Sequence, residues 1–157
     1  MIEAVVAAHR ARLTEQLAAL EESAEAAQEA MRVDGDHRPD SRGERGAVST
    51  AGALRAGLLE RAAALKAALV DLDGLVVGGR ARVGHGALVH VDDGDAERWL
   101  AVLPGGDGHA VEVDGVTIRV VSAQAPLVRA LWGMEEGDAA EVRRPGGDAE
   151  IEVLAVR

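Results

Sequence analysis

Cysteine, phenylalanine and tyrosine are absent from the 157 residues, and the only tryptophans are Trp99 and Trp132. Without thiols there is no disulfide framework, no cysteine nucleophile and no cysteine zinc site. Without aromatic platforms, stacking on exposed nucleic-acid bases is nearly excluded. A core must then be built mainly from Val, Leu and Ala, which suits helix seams and thin sheets. Long apolar runs are missing as well. The opening "MIEAVVAAHRARLTEQLAAL" carries charge throughout, which argues against a signal peptide or membrane span and leads us to expect a cytoplasmic protein.

Charge of positive sign is scarce: 17 basic residues stand against 27 acidic ones, for a net charge of -10. Both halves of the chain share the sign, so free duplex DNA is excluded as a direct partner, and the acidity favours solubility or docking onto a basic surface of another macromolecule. No catalytic constellation is present either. Ser41, Ser49 and Ser122 have no base at a recognisable spacing, and the glycine-rich pieces form no phosphate loop, so no catalytic residues of its own are expected.

What is present falls into two rhythms. Apolar residues at Val6, Leu13, Leu17, Leu20, Ala24, Ala27 and Met31 keep one stripe on a helix, and the stripe resumes at Ala51, Leu54, Leu58, Ala62, Leu65, Leu69, Leu72 and Val76. Each helix would be on the order of 40 Å long at a rise of about 1.5 Å per residue. Between them "VDGDHRPDSRGERG", residues 33–46, holds Gly35, Pro39, Gly43 and Gly46 and no apolar period, so it reads as a turn. Two striped helices with a short polar link bury their stripes on one another. The expectation is an antiparallel coiled-coil hairpin over residues 1–77, with helices from 2 to about 32 and from about 47 to 73.

From residue 80 the period becomes two. "ALVHV", "ERWLAVL", "HAVEV", "VTIRVV", "DAAEVRR" and "AEIEVLAV" are separated by Asp-Gly and Pro-Gly-Gly turns and read as strands. One helix signal, residues 126–132, starts with a proline whose missing N–H costs nothing there. Residues 80–157 therefore form a second domain, a small and mostly antiparallel sheet with one short helix, making the fold class α+β.

This order of elements, closing with Pro126, Arg129-Ala-Leu-Trp-Gly133, Gly137-Asp138, Val142, Pro145-Gly-Gly147 and Ile151 to Val156, resembles the bacterial Gre transcript-cleavage factors. The resemblance implies that the sheet domain is of the FK506-binding-protein-like type. It also implies a partner: core RNA polymerase, with the hairpin in the secondary channel and the sheet domain on the channel rim. Nascent RNA would be met only inside the polymerase, and the factor would work as a monomer with no membrane partner. In that family two tip carboxylates help hold the second catalytic magnesium of the polymerase, so no cofactor is implied beyond that shared Mg2+.

Carried onto this chain, the tip offers Asp34, Asp36, Asp40 and Glu44, interleaved with Arg32, Arg38, Arg42 and Arg45. Asp40 and Glu44 lie one residue further apart than the family's acidic pair, and the usual Asn and Tyr are missing. Carboxylate oxygens suit magnesium, whereas Arg38, Arg42 and Arg45 suit phosphate oxygens of RNA or nucleotides. The charge count points to occlusion of the channel more than to stimulated cleavage. The docking surface implied for the sheet domain is Gln124, Pro126, Leu127, Leu131 and Trp132; for Leu127 and Leu131 the amphipathic turn favours core packing over docking, and for Trp132 the two roles balance. No stable metal site in isolation is expected from His37 with its neighbouring aspartates, and His85, His90 and His109 read as ordinary histidines. Competing readings are a chaperone or prolyl isomerase, which would need an aromatic-lined pocket, and a coiled-coil adaptor.

Overall fold

The computed structural model describes residues 1–33 and 42–157. Two long helices open the chain: α1, Ile2–Val33, and α2, Arg42–Asp73. No glycine or proline interrupts α1, whose first turn carries Glu3 and last turn Arg32, each of the sign that the helix dipole favours there. α2 ends at Gly74, whose amide closes the last turn on the Val70 carbonyl at 3.2 Å. No helix of the described residues is long and apolar enough to cross a membrane.

The predicted turn over 33–46 is too long. α2 already begins at Arg42, so Gly43 and Gly46 lie inside a helix that they were expected to interrupt. A helical glycine costs only about 1 kcal/mol relative to alanine, and the helix that follows them runs unbroken to Asp73.

The chain divides into two compact units. One holds Arg12–Ala67; the other holds Met1–Ala11 together with Ala68–Arg157. In the first, Lys66 pairs with Glu21 at 2.7 Å and Arg55 donates to the Gln28 side chain at 3.0 Å. Positions that rise along one helix thus meet positions that fall along the other, which is an antiparallel hairpin. Leu13, Ala24 and Ala62 are buried in it, and Leu17, Leu20, Ala27, Leu58 and Leu65 are half-buried. Two positions leave the expected stripe. Leu54 is 59% exposed while the neighbouring Arg55 turns inward, and Val76 lies beyond the end of α2 and is also exposed.

In the second unit six strands follow α2: β1 Leu88–Asp92, β2 Glu97–Val102, β3 Asp107–Val113, β4 Val116–Val121, β5 Ala139–Arg144 and β6 Gly147–Val156. The helix α3, Pro126–Leu131, precedes β5. Their spatial order is β3-β4-β2-β1-β6-β5. All neighbours run antiparallel except β2 and β4, which pair in parallel, a detail that alternation alone does not encode. Between β3 and β4 the turn residues Asp114 and Gly115 both have positive φ, 52° and 77°, as a tight two-residue hairpin requires. One sheet face, with Val89, Val91, Leu100, Val102, Ile151 and Val153, closes on Val128 and Leu131 of α3. Leu88, Ala101, Ile118 and Val120, the alternate residues along their strands, are also at most 2% exposed.

The start of α1 belongs to this unit through His9. Its Nε2–H donates to the Pro104 carbonyl at 2.8 Å, and its ring stacks on His109 at 5.1 Å. The Nδ1 of His109 is 2.6 Å from an Asp107 carboxylate oxygen. His9 is fully buried, so an imidazole occupies an apolar-stripe position between Val5 and Leu13. Gly86 is fixed by geometry: its φ is +79°, and a Cβ there would collide with the Val76 carbonyl where the chain leaves α2.

Candidate functional site

The tip is described only in part. Asp34, Asp36, Asp40 and Arg38, with His37, lie outside the described residues, and Glu44 is fixed only as a backbone position in the first turns of α2. Arg42 and Arg45 sit in those same turns and are exposed. Cations at a helix N-terminus face the positive end of the dipole, a placement that costs a few tenths of a kcal/mol to about 1 kcal/mol. Among the described residues no group of three or more histidines and carboxylates could hold a metal ion.

The second candidate surface surrounds α3. Pro126 opens the helix after a turn in which the Ala125 amide donates to the Ser122 carbonyl at 3.1 Å. The helix stops at Leu131 because Trp132 is extended (ψ 126°) and Gly133 takes φ +80°. Gly133 donates to the Val83 carbonyl and Val83 donates to the Met134 carbonyl, both at 2.8 Å, which pins the end of α3 to the segment that enters the sheet.

Of the five docking residues expected from sequence, Gln124, Pro126 and Trp132 are exposed and share this surface. Leu131 is fully buried in the sheet core, a correction to its expected place on the docking surface, and Leu127 is half-buried against the same core. The reason is helical phase: Val128 and Leu131, three apart, face the sheet, so the outward face falls to Gln124, Pro126, Arg129 and Trp132.

Trp132 does not stand alone. Its ring, 46% exposed, meets His85 edge to face with centroids 5.0 Å apart. Together they border a shallow groove of about 640 Å3 whose other wall carries Arg80, Arg82 and Val83. Arg82 reaches Glu135 at 2.6 Å and Arg80 donates to the Val76 carbonyl at 3.0 Å. Sequence reasoning missed these partners of Trp132. The signal for them was the short stretch "GRARVGH", basic and free of acid in an acidic chain.

A third polar cluster is structural. The Asp93 carboxylate, 2% exposed, accepts the amides of Asp95 and Ala96 on one oxygen and the guanidinium groups of Arg98 and Arg144, each at 3.0 Å, on the other. Burial pushes its pKa up. The Ala96 amide, Arg144, the Asp95 amide and Arg98 together outweigh burial and hold it below the ordinary aspartate value.

The helical hairpin followed by a sheet with one covering helix defines the class, an α+β chain of the kind expected from its sequence. Residues 80–157 match the family model for the C-terminal domain of the transcription elongation factors GreA and GreB. The chain is 35% identical over 91 residues to the transcription elongation factor GreA of Thioalkalivibrio sulfidiphilus, covering 58% of this chain and 54% of that protein. It is 36% identical over 107 residues to GreA of Ralstonia nicotianae, covering 68% and 64%. This chain belongs to the Gre family of transcription elongation factors. It spans about half the length of curated relatives that it matches. Among solved structures, the GreA factor homolog 1 of Thermus thermophilus aligns over 94% of each chain at 19% identity and a TM-score of 0.38.

Proposed function

We propose that this protein acts on bacterial RNA polymerase, with the sheet unit holding it on the rim of the secondary channel and the hairpin entering that channel. The observation that carries the reading is the family match over 80–157, which coincides with the unit whose exposed α3 surface is available for a partner. The tip slows nucleotide entry more than it promotes cleavage of backtracked RNA. Supporting this, Arg42 and Arg45 are exposed at a helix N-terminus, where they oppose the helix dipole, so their favourable contacts are to be found with phosphate rather than within the helix. Asp40 and Glu44 supply the oxygen atoms from which any shared contact to the polymerase magnesium would come. The protein has no nucleolytic chemistry of its own and acts as a monomer.

The test uses the full chain, because Met1–Ala11 packs within the sheet unit and a fragment starting at residue 80 would lack that part of it. Added to stalled, backtracked complexes, the wild type is expected to slow nucleotide incorporation and to yield little cleavage. The double variant Asp40→Ala, Glu44→Ala should bind core polymerase within about twofold of wild type, lose the residual cleavage and keep the slowing. Vigorous cleavage by the wild type would refute the inhibitory reading, and absence of any binding to core polymerase would refute the partner.

A further inference from the structure

We infer that the groove between Trp132 and residues 80–85 is a recognition site for an acidic peptide segment that carries an apolar side chain. The inference deepens the docking reading above and rests on it for the identity of the partner, RNA polymerase; the chemistry of the groove stands on its own observations.

The first observation is charge placement. The chain carries 27 carboxylate side chains, yet none occurs from Gly74 to Val91 or from Gly115 to Met134. The fold brings these two acid-free stretches together, one supplying Arg80, Arg82 and His85 and the other Trp132. A −10 protein thereby presents a local surface of opposite sign. An acidic segment that the rest of the surface repels is admitted there, and charge complementarity of this kind sets both partner choice and encounter rate.

The second observation is the tryptophan itself. Nearly half of Trp132, one of the two largest side chains in the protein, faces solvent, with its geometry held by contact with His85 and by the hydrogen bonds between Val83 and residues 133 and 134. Fixed Trp and Arg side chains together are the composition of an interface hot spot. The Trp132 ring requires an apolar contact and the arginines require carboxylates, so the occupant must bring both. Arg80 donates to the Val76 carbonyl and Arg82 pairs with Glu135, and each guanidinium has further N–H donors to offer.

The third observation favours peptide over nucleic acid. Among the described residues, neither the amides nor the carbonyls of residues 79–82 pair with another backbone group, and both sets are what a peptide main chain pairs with. The phosphates of a polynucleotide backbone, which only accept, would use only the amides. The groove is also shallow, and its two exposed rings, Trp132 and His85, meet edge to face, whereas binding of single strands needs successive parallel stacking platforms.

The experiment reads Trp132 directly. In the full chain with Trp99→Phe, Trp132 is the sole tryptophan and its fluorescence reports the groove. Titration with a synthetic peptide of alternating glutamate and leucine should shift that emission, more weakly as salt is raised, and a lysine–leucine peptide should leave it unchanged. Binding of the full chain to core polymerase, measured in parallel, should weaken about tenfold or more in Arg80→Glu and in Trp132→Ala. Arg143→Ala, on the exposed side of β5, should bind as wild type. Thermal melts matching wild type establish that the variants are folded. Should wild type bind polymerase while Arg80→Glu and Trp132→Ala bind within twofold of it, the groove is not the docking site and the inference is overturned. If a single-stranded RNA oligonucleotide shifts Trp132 emission in an Arg80-dependent way and the acidic peptide does not, the peptide assignment is overturned in favour of nucleic acid. Failure of wild type to bind polymerase, with the peptide still shifting Trp132, removes the polymerase reading and keeps the groove.

Discussion

The hairpin unit and the sheet unit reach their folds by different balances. Among the described residues of the hairpin, Leu13, Ala24 and Ala62 are buried, most of the remaining seam is half-buried, and two of these three side chains are a single methyl group. In the sheet unit, a continuous cluster of mostly branched side chains from β1, β2, α3, β5 and β6 is nearly inaccessible, with Leu131, Val102, Ile151 and Val153 fully buried. Apolar burial contributes about 25 cal/mol per Å2. The sheet unit is therefore held by its core, while the hairpin depends on helix propensity and a thin seam of contacts. This division suits the two roles proposed: a rigid platform that docks, and a slender arm.

The largest test of that difference removes the side chain that α3 drives into the sheet. Leu131→Ala is expected to destabilise the sheet unit by about 3–4 kcal/mol, since a fully buried leucine leaves a cavity that packed strands cannot collapse. Both tryptophans lie in this unit, so their fluorescence follows its unfolding, while far-ultraviolet circular dichroism is dominated by α1 and α2. A melt unchanged within experimental scatter would mean that α3 contributes no core.

Leu13→Ala is expected to cost about 2–3 kcal/mol, less than Leu131→Ala, because the seam around it is partly open and can relax. The loss should appear first in the dichroism and later, or not at all, in the tryptophan signal. Coincident transitions at a lower temperature would show instead that the two units unfold as one.

How much of this was legible in the sequence follows the same line. Period-two alternation with Asp-Gly and Pro-Gly-Gly punctuation located all six strands, and the proline at 126 located α3, because local pattern and turn chemistry agree there. The start of α2 was missed because glycine was read as a breaker where it is only a weak helix former. Leu131 lies in the core, the role that the amphipathic turn favours for it, and off the docking surface where the family resemblance places it. The parallel β2–β4 pairing, the His9–His109 stack and the companions of Trp132 join residues far apart in sequence, and no local rhythm encodes them.

A smaller effect, with a pH signature, belongs to Asp93 at the β1–β2 turn. Its carboxyl is held below the ordinary aspartate value in the folded protein, so the charged form is favoured by folding. The resulting stabilisation is present above the unfolded pKa, about 3.9, and is lost as pH falls through the lower folded value. Asp93→Asn should cost about 2 kcal/mol at neutral pH, by leaving Arg98 and Arg144 without their shared carboxylate. It should also flatten the acid limb of the stability curve of the sheet unit. An unchanged limb would assign acid sensitivity to other carboxylates.

The smallest change is a gain. Gly52 and Gly57 lie inside α2 within the hairpin unit, and a methyl group built on either meets no atom within 4 Å. Glycine there contributes flexibility to the unfolded chain and nothing to packing, so replacement by alanine acts almost wholly through backbone entropy and helix propensity. Gly52→Ala and Gly57→Ala should each stabilise the hairpin by about 0.5–1 kcal/mol, and the effects should add, because neither site gains a neighbour through which the other is felt. The midpoint of the dichroism melt should rise while the tryptophan transition stays in place. If thin burial is what limits the arm, this propensity-only change moves the two transitions closer together; if the tryptophan signal rises by the same amount, the units are coupled and the contrast between platform and arm does not hold.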